Sequence, residues 1–171
     1  EKLENCVNSD LANNYGNLCQ RVTAFNKKNC NSLIPKKDSF NNDDLALLNR
    51  FKNDFDKLIN YINKQDLNSY INFVVESLFA ANKYFNDQEP WNKKSDPSRL
   101  NTIVYVSLEV IRKISILLYP AIPSSSLKVL SIFKIKEKDI SFDSIKNHEI
   151  LKNDNKIGKI DILFKKIENN D

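Results

Sequence analysis

Glycine is almost missing from this 171-residue chain, with only Gly16 and Gly158 present, and there are only five prolines. All-β sandwiches and barrels need many Gly- and Pro-rich turns, so that class is excluded by punctuation alone. Two glycines so far apart cannot write GxGxxG or GxxxxGK[ST], which excludes Gly-dependent phosphate loops. Histidine occurs once, as His148. Triads and His-based zinc sites therefore have almost nothing to draw on. Cys6, Cys19 and Cys30 are an odd number with no CxxC pair. Neither a disulfide framework nor a thiolate zinc site fits them. They read as small buried or half-buried side chains in a reducing, cytoplasmic compartment. Methionine is absent even from position 1, which points to a piece excised from a longer chain. The longest apolar stretch, around Ile114 to Ile122, is interrupted by Ser115 and Pro120 and falls short of the ~20 residues a membrane span needs. The start, Glu1-Lys2-Leu3-Glu4, is polar and is no signal peptide.

What is abundant is asparagine (25), lysine (22) and isoleucine (18), residues with A/T-rich codons, so the excess reads as genome bias. With 41% hydrophobic and 28% charged residues the balance is that of one ordinary globular domain. The net charge of +4 permits a polyanionic partner without demanding one.

The apolar residues recur at helical spacing. Leu11, Tyr15, Leu18, Val22 and Phe25 form one face of a helix from about Asp10 to Lys28, capped by Ser9 or Asp10. Leu45, Leu48, Phe51, Phe55, Leu58, Ile59 and Ile62 predict a second helix from Asn42 or Asp43 to about Lys64. A third, from about Asp66 to Asp87, is predicted to turn Ile71, Val74, Val75, Leu78, Phe79 and Asn82 inward. Asp96-Pro97 starts a fourth that runs to about Tyr119, where Pro120 stops it, and Pro123 opens a fifth carrying Leu127, Leu130 and Phe133. Residues 135–171 are polar with scattered Ile; Ile160, Ile162 and Phe164 alternate as in an extended segment. The fold class expected is all-α: an antiparallel bundle of about five helices over residues 1–134, with an irregular or extended tail over 135–171.

Candidate chemistry is recognition rather than catalysis. The carboxylates read as spread along exposed helix positions, and His148 as a solvated loop residue beside Glu149; no catalytic residue and no metal ligand is assigned. Asn17 and Arg21 stand one turn apart on one helix face and put an amide beside a guanidinium at the edge of the core. Such a pair suits the edge of an unpaired base, although a solvated face or a capping interaction produces the same spacing. Trp91, the only tryptophan, follows Pro90 in an interhelical turn, where an indole either plugs the bundle or offers a stacking surface. Lys93 and Lys94 follow it, within reach of phosphates, while Asp87 and Glu89 precede it.

The stretch Asp10-Leu11-Ala12-Asn13-Asn14-Tyr15-Gly16-Asn17-Leu18-Cys19-Gln20-Arg21 resembles the start of the C-terminal anticodon-binding domain of the bacterial-type methionyl-tRNA synthetase family, "D-L-x-N-x-x-G-N-L-x-x-R". Ala81-Asn82-Lys83-Tyr84-Phe85 resembles its "N-x-Y-[FI]" helix end, and Glu89-Pro90-Trp91 with Lys93 or Lys94 its "x-P-W-x-x-x-K" turn. Ile116 to Pro123 resembles its "L-L-x-P-x-x-P" junction, and Leu163-Phe164-Lys165-Lys166-Ile167 its closing "L-F-P-R-I", with Lys165-Lys166 departing from Pro-Arg. The resemblance spans roughly residues 9–167 and implies a helical bundle that recognises the anticodon loop of methionine tRNA. It implies that Trp91 stacks on a splayed anticodon base, while Asn17 and Arg21 bond the Watson–Crick edge of the first anticodon base, a cytosine. Asn13, Asn14, Pro90 and Lys94 are additional candidate RNA contacts. The family's "H-x-G-H" and "K-M-S-K-S" motifs and its zinc-binding insertion are absent from this chain. The expectation is therefore tRNA binding without catalysis and without a cofactor, with ATP, and zinc where the insertion is present, belonging to the N-terminal catalytic domain of the whole enzyme. The tail over 135–171 is expected to pack on the bundle or, in the whole enzyme, on that catalytic domain. The alternatives are the anticodon domain of another class I synthetase, or a helical protein-interaction module that binds no RNA.

Overall fold

A computed structural model describes residues 3–158. A short 3₁₀ turn, Glu4–Cys6, leads into α1 (Ser9–Cys30), followed by α2 (Asn42–Asn53), α3 (Phe55–Asn63), α4 (Leu67–Gln88), α5 (Pro97–Leu118) and α6 (Pro123–Ile132). Further 3₁₀ turns cover Pro90–Asn92, Glu137–Asp139 and Phe142–Lys146. The all-α expectation holds; among the described residues the only β pairing is an isolated antiparallel bridge between Leu33 and Lys156. The extended segment expected at Ile160, Ile162 and Phe164 lies outside the described residues, as does the closing motif around Phe164.

α5 is the axis of the molecule. From Thr102 to Leu118 every residue is buried, so this helix is enclosed all round rather than on one stripe. Tyrosines from its neighbours fasten it: Tyr15 Oη lies 2.6 Å from Ser115 Oγ, and Tyr70 Oη donates to the Leu117 carbonyl at 2.6 Å. Tyr15 meets Ser115 while Cys30, at the other end of α1, meets Asn101, so α1 runs antiparallel to α5. The Tyr70–Leu117 and Gln88–Arg99 bonds show the same for α4. α1 and α4 are thus parallel to each other, side by side on α5.

Three expectations about the helices are corrected. The second predicted helix is two, broken at Asp54 (φ −98°, ψ 10°), whose N–H bonds the Arg50 and Lys52 carbonyls. No Gly or Pro marks the break; beyond it, Phe55 packs against Phe142 at a ring separation of 5.6 Å. α1 is capped by Asn8, whose side chain accepts from Leu11 N at 2.8 Å, rather than by Ser9 or Asp10. Phe79, predicted to face inward, stands outside with 64% of its surface exposed. The inward face of α4 is rotated toward Tyr70, Val74, Ser77, Ala81 and Tyr84.

Residues 135–158 lie on the bundle, with Ile145, Leu151 and Ile157 buried in the common core. The carboxylates Asp44 and Glu109, read from the sequence as exposed, are fully buried. Asp44 accepts two bonds from Arg99 (2.8 and 2.9 Å) and one from Tyr84 Oη (2.5 Å). Burial pushes its carboxyl pKa up, but these bonds and the Asn41 N–H outweigh it and hold the pKa below its ordinary value. Glu109 accepts from Arg112 at 2.8 Å and from Leu151 N at 2.8 Å.

His148 is not a solvated loop residue. Its Nε2 lies 2.9 Å from Asn49 Oδ1 and its Nδ1 lies 3.0 Å from the Lys113 ammonium. Lys113 in turn donates to the Ile145 and Asn147 carbonyls, both at 2.6 Å. The same Asn147 carbonyl accepts from Arg112 at 2.7 Å. The polar segment after α6 is therefore the partner of the polar groups that α5 carries inside.

Candidate nucleic-acid interface

The candidate face is built where α1, the end of α4 and the turn after it meet. α4 ends because Glu89 adopts the left-handed conformation (φ 47°, ψ 60°), which reverses the chain into buried Pro90. Pro90–Asn92 is a tight turn closed by Asn92 N to the Glu89 carbonyl (2.9 Å) and Lys93 N to the Pro90 carbonyl (3.1 Å). The turn delivers the Trp91 ring over Phe85 of α4, with centroids 6.0 Å apart and planes at 59°. The indole remains 40% exposed, so it is neither a buried plug nor a free flag; it leans on the bundle and leaves surface to solvent.

Arg21 comes from α1 and completes the arrangement. Its guanidinium carbon sits 5.0 Å from the centroid of Phe85 and 5.7 Å from that of Trp91. One of its terminal nitrogens donates to Asn86 Oδ1 on α4. Phe25 of α1 meets the edge of Phe85 at 5.7 Å, so the ring under the guanidinium is itself fixed. The cation on α1 is thus oriented by two rings and an amide drawn from α4 and the turn that follows it.

The structure therefore brings two of the candidate residues, Arg21 and Trp91, together. Asn17 stands exposed one turn before Arg21 on α1, and Asn13 and Asn14 are exposed one turn further back. Lys94 is exposed just beyond the turn, while Pro90 is buried and shapes the turn from beneath. Sequence reasoning missed Phe85 and Asn86. The motif Asn82-x-Tyr84-Phe85 was visible, but nothing local says that Phe85 lies under a guanidinium 64 positions earlier in the chain. Asp87, which would otherwise repel a phosphate at the turn, is paired with Lys83.

An oriented guanidinium beside a partly exposed indole on an all-helical surface is an arrangement that can stack and hydrogen-bond an unpaired base. The chain belongs to the family described as the anticodon binding domain of methionyl tRNA ligase, whose family model matches residues 34–171. It is 34% identical over 173 residues to the methionine–tRNA ligase of Thermotoga maritima, a match covering 100% of this chain and 27% of that protein. The methionine–tRNA ligase of Brucella suis is 35% identical over 136 residues, covering 79% of this chain and 26% of the relative. The chain thus spans about a quarter of the length of the curated relatives it matches. Among solved structures, the free form of Mycobacterium tuberculosis methionyl-tRNA synthetase matches 91% of this chain and 32% of its own, with a TM-score of 0.82 at 28% identity. The same synthetase in complex with methionyl-adenylate matches with a TM-score of 0.81. Among the described residues no helix is long and apolar enough to cross a membrane.

Proposed function

We propose that this chain reads the CAU anticodon of methionine tRNA on the Arg21–Trp91 face, for a cytoplasmic ligase whose catalytic domain attaches methionine using ATP. The observation that carries this reading is the orientation of Arg21. A guanidinium carries five N–H donors, and the one directed at Asn86 leaves others for the O2 and N3 acceptors of a cytosine. The amide of Asn17 supplies an acceptor for the exocyclic amine. A uracil presents an N3–H where the arginine donor points, so exchanging the base costs on the order of 1–3 kcal/mol. The exposed surface of Trp91 accepts the splayed base by stacking, since unstacked loop bases are what proteins read in RNA. Asn13, Asn14 and Lys94 are the candidates for neighbouring contacts, and Pro90 supports Trp91 from below. The ATP, and zinc where the ligase carries it, serve the catalytic part of that enzyme, which also docks against this domain.

Because Trp91 is the only tryptophan, its fluorescence reports on the site directly. A CAU anticodon stem-loop is expected to quench it at low salt, and a UAU loop to bind about tenfold more weakly. Arg21→Ala is expected to remove that discrimination while leaving helical circular dichroism near that of the parent. Equal quenching by an unrelated loop of the same length would overturn the reading.

A further inference from the structure

Phe79 is the most exposed large hydrophobic residue of the described chain, at 64%, and nothing in the fold requires an aromatic ring there. Its position is not arbitrary. It precedes Asn86 by seven residues on α4, and a heptad separation returns a helix to within about 20° of the same direction. Phe79 therefore stands on the outer crest of α4 below Asn86, the residue that holds Arg21, roughly 10 Å away along the axis. Asn82 lies between them, and α1 runs parallel alongside.

The charges around it are as telling. Between Leu11 and Phe25, α1 carries a single charged residue, Arg21; its exposed positions include Asn13, Asn14, Asn17 and Gln20. The acids of α4 that flank the crest are neutralised, Glu76 by Arg50 at 3.3 Å and Asp87 by Lys83. The strip leading from Arg21 to Phe79 thus offers amides and an aromatic face with no uncompensated carboxylate on α4. A phosphate track would show unpaired cations, and a protein-docking face a continuous apolar patch. A lone ring among amides fits a nucleobase, which needs a π surface to stack on and hydrogen-bonding edges beside it.

We infer that Phe79 is a second stacking platform, taking another base of the same RNA loop whose first base lies on Trp91. The inference rests on the anticodon-reading proposal above and extends its surface down α4 by about two helical turns.

The test compares this chain with its Phe79→Ala, Phe79→Leu, Phe79→Tyr and Trp91→Ala variants, titrated against a fluorescein-labelled CAU stem-loop by anisotropy. Phe79→Ala and Phe79→Leu are expected to bind roughly 5- to 150-fold more weakly, the range for loss of one stacked base, and Phe79→Tyr to bind like the parent. Replacing each loop base in turn by an abasic residue should identify one position, different from the one paired with Trp91, at which Phe79→Ala has no further effect. If Trp91→Ala weakens binding while Phe79→Ala does not, the second platform is refuted and the anticodon reading stands. Full binding by Phe79→Leu refutes stacking in favour of plain apolar contact. If the parent chain does not distinguish CAU from a control loop, the reading beneath the inference fails as well. The Phe79 side chain is exposed, so unchanged thermal melting of its three variants is the expected control.

Discussion

At the scale of single residues, a neutral imidazole is what lets Lys113 remain inside the protein. The Asn49 carbonyl oxygen accepts from His148 Nε2, which leaves Nδ1 as a lone pair facing the ammonium. Burial, then the nearby charges of Lys113, Lys52 and Arg112, push the His148 pKa down to about 4, against an opposing pull from Glu149. Between about pH 4 and the ordinary value near 6.5 the unfolded chain therefore binds a proton that the folded chain refuses. The contribution of His148 is full above that ordinary value and fades as pH falls through the window. Burial also pulls the Lys113 pKa down to about 7, so the range that isolates His148 lies below it. Urea midpoints measured from pH 6.5 down to 5 are expected to drop for the parent by the equivalent of about 1 kcal/mol, less than the full shift because the half-buried ring is screened by water. His148→Asn should flatten that slope, and an unchanged slope in the variant would show that other groups set it. His148 is the single histidine, so the window is not shared with another side chain of that type. None of this was legible in the sequence, where His148 sat in a polar run beside Glu149; its partners come from 35 and 99 positions away. Asn17, Arg21 and Trp91 could be singled out because the patterns that mark them are local, one helical turn and one Pro-Trp corner, and each falls in a block that resembles a family motif.

Elements fared differently according to whether their signals are local. α1, α4, α5 and α6 announce themselves by apolar spacing and by Pro97, Pro120 and Pro123, and they stand within a few residues of expectation. The break between α2 and α3 was silent because it needs only a change of ψ at Asp54, with no breaker residue, and is settled by what Phe55 packs against. The inward face of α4 was misread at Phe79 because a run as apolar as Phe73-Val74-Val75 and Leu78-Phe79-Ala80-Ala81 supports more than one stripe. The end of α4 carries its own prediction. Glu89 holds φ at +47°, a region where an L side chain is strained and glycine is not. Glu89→Gly is expected to raise stability by about 1 kcal/mol, read as an increase in Tm, without weakening binding of the stem-loop. A fall in Tm would mean that flexibility introduced at the corner outweighs the relief of strain. The same variant also examines the Trp91 turn, since the ring's place over Phe85 depends on that reversal.

On the scale of the whole molecule, the bundle class follows from five amphipathic runs with short links, but its centre does not look like a core when read along the chain. α5 carries Glu109, Arg112 and Lys113 at positions that are fully buried. A sequence reader assigns such residues to solvent, and that same assumption makes residues 135–158 look like an irregular polar tail. The structure joins the two puzzles into one. Leu151 N and Arg112 satisfy Glu109, the Ile145 and Asn147 carbonyls and His148 satisfy Lys113, and Tyr105 donates to the Leu151 carbonyl at 2.7 Å. Removing this segment would expose apolar surface once covered by Ile145, Leu151 and Ile157, each worth about 1.5–3 kcal/mol when fully buried. It would also strip the partners from buried charges, at about 3–5 kcal/mol for a broken buried pair. Those losses rival the ~5–15 kcal/mol by which a domain is stable at all. A chain ending at residue 134 is therefore expected to lose cooperative urea unfolding and the near-ultraviolet circular dichroism of its packed aromatics while keeping much of its helical signal. In the same shortened chain the CAU stem-loop should bind poorly although Asn17, Arg21 and Trp91 are all present, because α5 no longer holds α1 and α4 in parallel register. A shortened chain with the parent's urea midpoint and the parent's discrimination between CAU and UAU would show instead that the six helices suffice, and that the buried charges of α5 find water or one another without the segment that follows.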